Sequence, residues 1–240
     1  MMSKPSSLVL PIAAFLVGCA SSGTRPHDMS AAEHRSAAER EEQAALEHAA
    51  LYDPDASGQV RRCSKPHVCW TSRSNPTRQH AEDAKTHREL AAKHRAASAA
   101  LVAAESRACA GIEPEERDIS PFYHREDIVS VEPVYHEAQR EARLRGAKVV
   151  FREVPGLTPE RLQRQVECHL ARASAAGHVM PEMSYCPLML RDVKAEVART
   201  SSGIGVLVSS DDPETSNEIL QRAQTLVTTA PSSGTASPGP

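Results

Sequence analysis

A repeat of alanine and histidine constrains the fold of this chain more than any other feature of the sequence. Residues 31–38 (AAEHRSAA) align with residues 91–98 (AAKHRAAS), with alanine and histidine at equivalent positions. On a heptad, each segment places alanines in one row and histidines in the adjacent row. Because small side chains let helix axes approach closely, the repeat predicts an alanine-rich helical hairpin with imidazoles along its seam.

The predicted first helix has a signal at each end. Ser30 and Glu33 have the spacing of a capping box, in which two side chains satisfy reciprocal backbone donors. The helix continues to Tyr52 and stops before Asp53-Pro54, since the residue before a proline disfavours helical backbone.

The predicted second helix begins at Asn75-Pro76, where a capping residue precedes a proline at the first helical position. It continues to Ala110, and Gly111 ends it. The hairpin therefore spans residues 30–111, with a polar loop between its helices.

The histidine row suggests three interpretations. Successive members of the row are seven residues apart, about 10.5 Å along a helix, so one helix cannot place two of them on one metal ion. A metal site would need both helices, for example His34 or His48 with a histidine of the second helix. The row is also consistent with a seam that loosens when its histidines are protonated, or with half-buried histidines that only pack.

Residues 112–146 are predicted to form an acidic linker, a short extended piece and then a charged helix over Tyr135–Arg145. His124 lies beside Glu126 and Asp127, a combination typical of acid-base or metal clusters. Because adjacent residues on an extended chain point to opposite faces, we expect a packed aromatic turn instead.

Residues 147–228 are predicted to form a compact α+β domain. Its elements follow the order strand, helix, strand, strand, helix: 147–154, 158–177, 193–198, 204–209 and 212–228. This order predicts a small α+β sandwich with helices on one face of a mostly antiparallel sheet, close to a ferredoxin-like arrangement without its last strand. Residues 229–240 are rich in Ser, Pro, Gly and Thr and are predicted to be disordered.

The amino terminus has the pattern of an export signal. Lys4 precedes an apolar run that is too short to span a bilayer, and residues 16–19 (LVGC) resemble the lipobox of bacterial lipoproteins. The resemblance implies that residues 1–18 are a signal peptide, that Cys19 carries lipid, and that residues 19–29 are the anchored start of the mature chain. Ala20 favours the outer membrane, because the inner-membrane retention signal would place Asp there.

Six cysteines in an exported chain favour disulfides. With Cys19 lipidated, the sequence-local pairs are Cys63 with Cys69 and Cys168 with Cys186, which leaves Cys109 as the predicted unpaired thiol. Pairings that involve Cys109 stay open.

The segment 168–186 concentrates soft donor atoms. His169, His178, Met180 and Met183, together with reduced Cys168 and Cys186, are the ligand types that bind copper or zinc. The alternative is a Cys168–Cys186 disulfide with methionines filling a core that is poor in aromatic residues.

Composition excludes some classes of function. The chain has 28 Lys plus Arg and 31 Asp plus Glu, so no nucleic-acid surface is implied. We find no signature of a hydrolase, a phosphate-binding loop or a dinucleotide site, and the chain is predicted to be non-enzymatic and without a cofactor.

Further motifs carry a resemblance to one group of proteins. They are Asp118–Phe122, His124–Asp127, Cys168–Arg172, Tyr185–Leu188 and Ser209–Glu214. Together they resemble uncharacterised predicted lipoproteins of myxobacteria and their relatives, a resemblance that implies an envelope location and no activity. The leading expectation is an outer-membrane lipoprotein facing the periplasm, with a structural or protein-interaction role. The alternative is an envelope metal-binding protein.

Overall fold

A computed structural model describes residues 23–65, 68–137 and 142–228. The predicted signal peptide, the lipidation candidate Cys19 and the predicted tail 229–240 lie outside the described residues. The helices are α1 (Ala31–Leu51), α2 (Arg78–Ala108), α3 (Pro114–Arg117), α4 (Pro159–Ala175) and α5 (Pro213–Thr228). The strands are β1 (Gly58–Lys65), β2 (Val68–Ser74), β3 (Ile128–Glu137), β4 (Ala142–Phe151), β5 (Lys194–Thr200) and β6 (Gly203–Ser209).

Helices α1 and α2 form the predicted antiparallel hairpin. The capping box at the start of α1 is confirmed: the Glu33 N–H donates to Ser30 Oγ at 3.1 Å, and the Ser30 N–H donates to Glu33 Oε2 at 2.8 Å. The alanine row lies at the contact between the helices, where Ala38, Ala45 and Ala91 are buried. Small side chains therefore set the separation of the two axes.

The predicted polar loop between these helices is instead a two-stranded antiparallel sheet, β1 paired with β2. The disulfide Cys63–Cys69 joins the two strands, with an S–S distance of 2.06 Å, and this confirms the sequence-local pair. We call this sheet, residues 58–65 and 68–74, the tip of the hairpin.

The α+β fold is present, with a larger sheet than predicted. Four antiparallel strands have the order β3-β4-β6-β5, and α4 and α5 pack on the sheet. Neighbouring strands place their apolar side chains opposite one another, as in the pairs Val149 with Val206 and Ala147 with Val208. These side chains meet Leu162 of α4 and the apolar side chains of α5 in one core.

The helix predicted over Tyr135–Arg145 is wrong. Its first residues end β3, and its last residues begin β4, with Tyr135 opposite Leu144. Gly146 does not end a helix but lies within β4 at φ 148°, where a Cβ would collide with the backbone of Val208. Helix propensity favours the charged segment locally, but the antiparallel pairing of its two ends within β3 and β4 overrides that propensity. Residues 112–146 are therefore not a linker to the sheet, because β3 and part of β4 come from them.

The disulfide Cys109–Cys168 joins the end of α2 to α4, with an S–S distance of 1.98 Å. The predicted Cys168–Cys186 pair is therefore wrong, and Cys109 is not the unpaired thiol. Cys186 is the free cysteine among the described residues, and it is buried. The end of α2 packs against α4, where Cys109, Ile112 and Cys168 form a small buried cluster. This long-range contact decides the pairing.

Residues 27–30, just before α1, pack on the rest of the molecule. Arg191 donates to the His27 carbonyl at 3.0 Å, and Ser30 lies against Gly177 at the end of α4. None of the helices in the described ranges combines the length and the apolar character that a membrane crossing requires.

Replacing Cys109 and Cys168 together by alanine is expected to lower the free energy of unfolding by about 4 kcal/mol. The bridge closes a loop with a sequence separation of 59 residues and so restricts the unfolded chain. Urea denaturation of parent and variant measures the difference. The control is the double alanine variant at Cys63 and Cys69, with a separation of 6 and an expected loss of about 2 kcal/mol or less. A peptide map that links Cys168 to Cys186 would contradict this assignment.

Candidate functional site

The cysteines and histidines of the segment 168–186 do not gather around one point. Cys168 is held in its disulfide with Cys109. The free thiol of Cys186 lies 3.5 Å from His169 Nε2 inside the core. His178 is elsewhere, and its Nδ1 donates to the Met189 carbonyl at 3.2 Å.

The two methionines of the predicted metal set belong to the core. Met183 is buried, and Met180 packs against the same cluster of apolar side chains. They fill space in a core with few aromatic residues, as expected for a flexible thioether. Met180 and Met183 are thus accounted for as core side chains. His169 lies beside Cys186, whereas His178 bonds to the Met189 carbonyl.

Cys186 and His169 have the residue types of a catalytic thiol and its base, but burial opposes that chemistry. Burial raises the pKa of Cys186 to about 11. Burial, and then the nearby Arg172 guanidinium, lowers the pKa of His169 to about 4. Both groups are neutral at pH 7, and the reactive thiolate is disfavoured. The pair is therefore best interpreted as part of the core.

The hairpin seam brings histidines of α1 and α2 together, as the heptad predicted. His34 Nδ1 lies 3.0 Å from His94 Nδ1, and both side chains are buried. His34 Nε2 donates to the Arg25 carbonyl at 3.1 Å, so in the neutral ring His34 Nδ1 is the acceptor and His94 Nδ1 the donor. This layer is a satisfied hydrogen-bonded pair. Burial, and then His34, lowers the pKa of His94.

Two further layers of the seam lie towards the tip. In the middle layer, His87 Nδ1 lies 2.6 Å from Glu41 Oε2. In the layer nearest the tip, His48 Nδ1 lies 3.1 Å from His80 Nδ1 and 3.7 Å from Asp83 Oδ2. Their side chains are only partly buried. These layers differ from the first because each includes a carboxylate.

The tip has little apolar burial of its own. Trp70 is 50% exposed, and Val60 and Val68 are also exposed. The register places Trp70 directly opposite Arg62. The described residues of the tip include basic side chains and no acidic one; the basic residues are Arg61, Arg62, Lys65 and Arg73. The Trp70 side chain was not singled out from the sequence. The β-branched and aromatic residues of β2 were the available signal.

His124 and its neighbours form the expected turn, but their side chains converge instead of pointing to opposite faces. Residues 125–127 form a single 3-10 turn, which brings His124, Glu126 and Asp127 to one side, with donor atoms within 4.8 Å of one another. An open cleft of about 430 Å³ lies beside them. However, Arg152 donates twice to Asp127 Oδ1, at 2.9 and 2.6 Å. The Asp127 carboxylate thus already joins the start of β3 to the end of β4 through Arg152.

Comparison of the chain with protein-family models, with curated proteins and with solved structures found no match.

Replacing His169 by glutamine is expected to flatten the dependence of stability on pH. The pKa of His169 is about 4 in the folded protein and about 6.5 in an unfolded chain. Above about pH 6.5 the His169 side chain is neutral in both the folded and the unfolded protein. Between about 6.5 and 4 only the unfolded state takes up the proton, so the parent chain loses about 3 kcal/mol as pH falls.

Urea denaturation at steps between pH 7.5 and about 4 measures this loss. His94, whose lowered pKa acts in the same direction, remains in the variant and leaves a smaller slope. Exchange of the exposed His136 for glutamine serves as the control and should keep the parent slope. Equal slopes for parent and His169→Gln would contradict the interpretation.

Proposed function

We propose that this chain is a lipid-anchored protein of a bacterial outer membrane that faces the periplasm and binds another envelope protein through the tip. We propose no enzymatic activity. The lipobox at residues 16–19 supports the anchor. The disulfides Cys63–Cys69 and Cys109–Cys168 support an oxidising compartment outside the cytoplasm.

The observation on which the proposal rests is the construction of the tip. A two-stranded hairpin alone is marginally stable in water, and this one extends beyond the ends of both helices with its side chains largely exposed. A disulfide holds it together in place of a hydrophobic core. Because such a hairpin adds little stability, we expect it to serve binding, and its exposed tryptophan is a side chain suited to that role.

The chemistry of the tip favours an acidic protein segment as partner. Trp70 and Arg62 lie side by side on one face, and both residue types are enriched where protein interfaces carry their binding energy. The surplus of cations would attract a negatively charged partner. In addition, among the described residues each of the two strands pairs only with the other, so each has a free edge to which an extended segment can add.

The position of the tip fits an anchored protein. Residues 27–30, at the start of α1, pack beside the end of α4. Helix α1 has 21 residues and is about 30 Å long. An anchor at Cys19 would therefore attach near the α+β domain, and the tip would lie at the far end of the hairpin.

Replacement of Cys19 by serine is expected to move the protein from the membrane fraction to the soluble periplasmic fraction. The reason is that the thiol that would carry the lipid is lost, and stable anchoring requires several acyl chains. Fractionation of host cells and the mass of the mature chain measure the effect. The double alanine variant at Cys63 and Cys69 should keep its lipid. A parent chain without lipid mass would contradict the anchor.

Site-specific photocrosslinking tests the partner. A photoreactive amino acid in place of Trp70 is expected to give one reproducible protein adduct in intact cells. The same amino acid at Val179, which is 73% exposed on a loop after α4, should not give it. Reversing two charges with Arg61→Glu and Arg62→Glu should reduce the adduct, since the attraction depends on the cations. No adduct at position 70, or the same adducts at both positions, would refute the role of the tip.

A further inference from the structure

We infer that His48, His80 and Asp83 form a binding site for a divalent transition metal ion, of which zinc is the best match. The site lies in the hairpin seam next to the tip, where α1 supplies one ligand and α2 supplies two. It is distinct from the predicted site at residues 168–186. It also goes beyond the proposed function, because it stands whether or not the tip binds a partner.

The distances between the donor atoms match a four-coordinate ion. His48 Nδ1 lies 3.1 Å from His80 Nδ1 and 3.7 Å from Asp83 Oδ2, and all the donor atoms lie within 4.8 Å of one another. In a tetrahedral zinc site with bonds of about 2.05 Å, neighbouring donor atoms are separated by about 3.3 Å. The observed distances lie on both sides of this value, so small side-chain movements suffice.

The donor set matches the chemistry of zinc. Imidazole nitrogen and carboxylate oxygen are both common zinc ligands, and three protein ligands leave one position for water or another donor. His80 and Asp83 are three residues apart on α2 and so share one face of the helix. Histidines of one helix are at least seven residues apart and too distant to bind the same ion. The second histidine ligand, His48, therefore comes from α1.

A second layer of contacts orients the ligands. Gln79 donates to Asp83 Oδ1 at 2.8 Å, while Asp83 Oδ2 is the oxygen that faces His48. The His87 ring stacks on His48, with centroids 5.3 Å apart, and Glu41 holds His87. Such outer contacts typically fix the orientation of metal ligands.

The pair His34 and His94 shows what a purely structural layer of the same seam looks like. Its Nδ1 atoms are 3.0 Å apart, but the two residues are only 0% and 4% exposed. The described hydrogen bonds of the two rings are to each other and, from the second nitrogen of His34, to backbone carbonyls. By contrast, the side chains of His48 and Asp83 are 31% and 34% exposed. An ion can reach the layer nearest the tip and find a negative charge there.

A bound ion would clamp the two helices where they lead into the tip. The tip side of this layer is otherwise held by hydrogen bonds of Asp53 with Thr77 and Asn75. Metal bonds between α1 and α2 would add a link that the unfolded chain does not have. Binding to the folded state alone raises its stability, so the midpoint of thermal unfolding should rise with zinc.

The experiment is a calorimetric titration of the full chain, purified in mild detergent and freed of metal with EDTA, with zinc chloride. We expect one equivalent to bind with a dissociation constant in the micromolar range or below. Asp83→Asn should weaken binding at least tenfold, and His48→Gln should abolish it. Circular dichroism of each variant checks that the helices are intact. Asp83 is partly exposed, so its variant keeps the test valid if His48→Gln unfolds.

The matched control is His124→Gln, which removes a histidine from the other cluster of metal-ligating side chains among the described residues. It should bind zinc as the parent does. The proposal is overturned if the parent shows no stoichiometric binding, or if Asp83→Asn binds as tightly as the parent. It is also overturned if His124→Gln, rather than His48→Gln, abolishes binding.

Discussion

The close contact of α1 and α2 through alanine is the constraint on which the rest of the hairpin depends. Ala38, Ala45, Ala84 and Ala91 are at most 2% exposed, and a larger side chain at any of them would push the axes apart. The two layers in which histidines pair need this short separation, because their nitrogen atoms face each other at 3.0 and 3.1 Å. Alanine side chains bury little apolar area, so their contacts stabilise the hairpin only weakly. Contacts at the two ends of the hairpin therefore contribute to its stability.

The parts of the fold that could be predicted are those that local sequence determines. The heptad rows and the capping box predicted α1 and α2, and turn signals predicted the β5–β6 hairpin. Long-range contacts decided the rest. Tyr135–Arg145 has helix-forming residues, but its described ends pair with each other as the last residues of β3 and the first residues of β4. Cys168 is closer in sequence to Cys186 than to Cys109, but the docking of α2 on α4 selects Cys109.

The candidate metal site was predictable only in part. The seven-residue spacing showed that a metal ion in the seam would need histidines from both helices. It did not show which histidines meet, because the register depends on how the chain turns between the helices. The register places His34 with His94, and His48 with His80. Asp83 could not be identified before that register was known.

The way the chain enters and leaves the hairpin has a mechanical consequence. The start of α1 and the end of α2 lie at the same end of the hairpin, and the disulfide Cys109–Cys168 fixes α2 to the α+β domain there. A partner that pulls on the tip would therefore load both helices along their axes. The covalent bridge, rather than a flexible tether, would carry that load from α2 to the domain. Tension applied at the tip would therefore reach the α+β domain through the two helices and this disulfide.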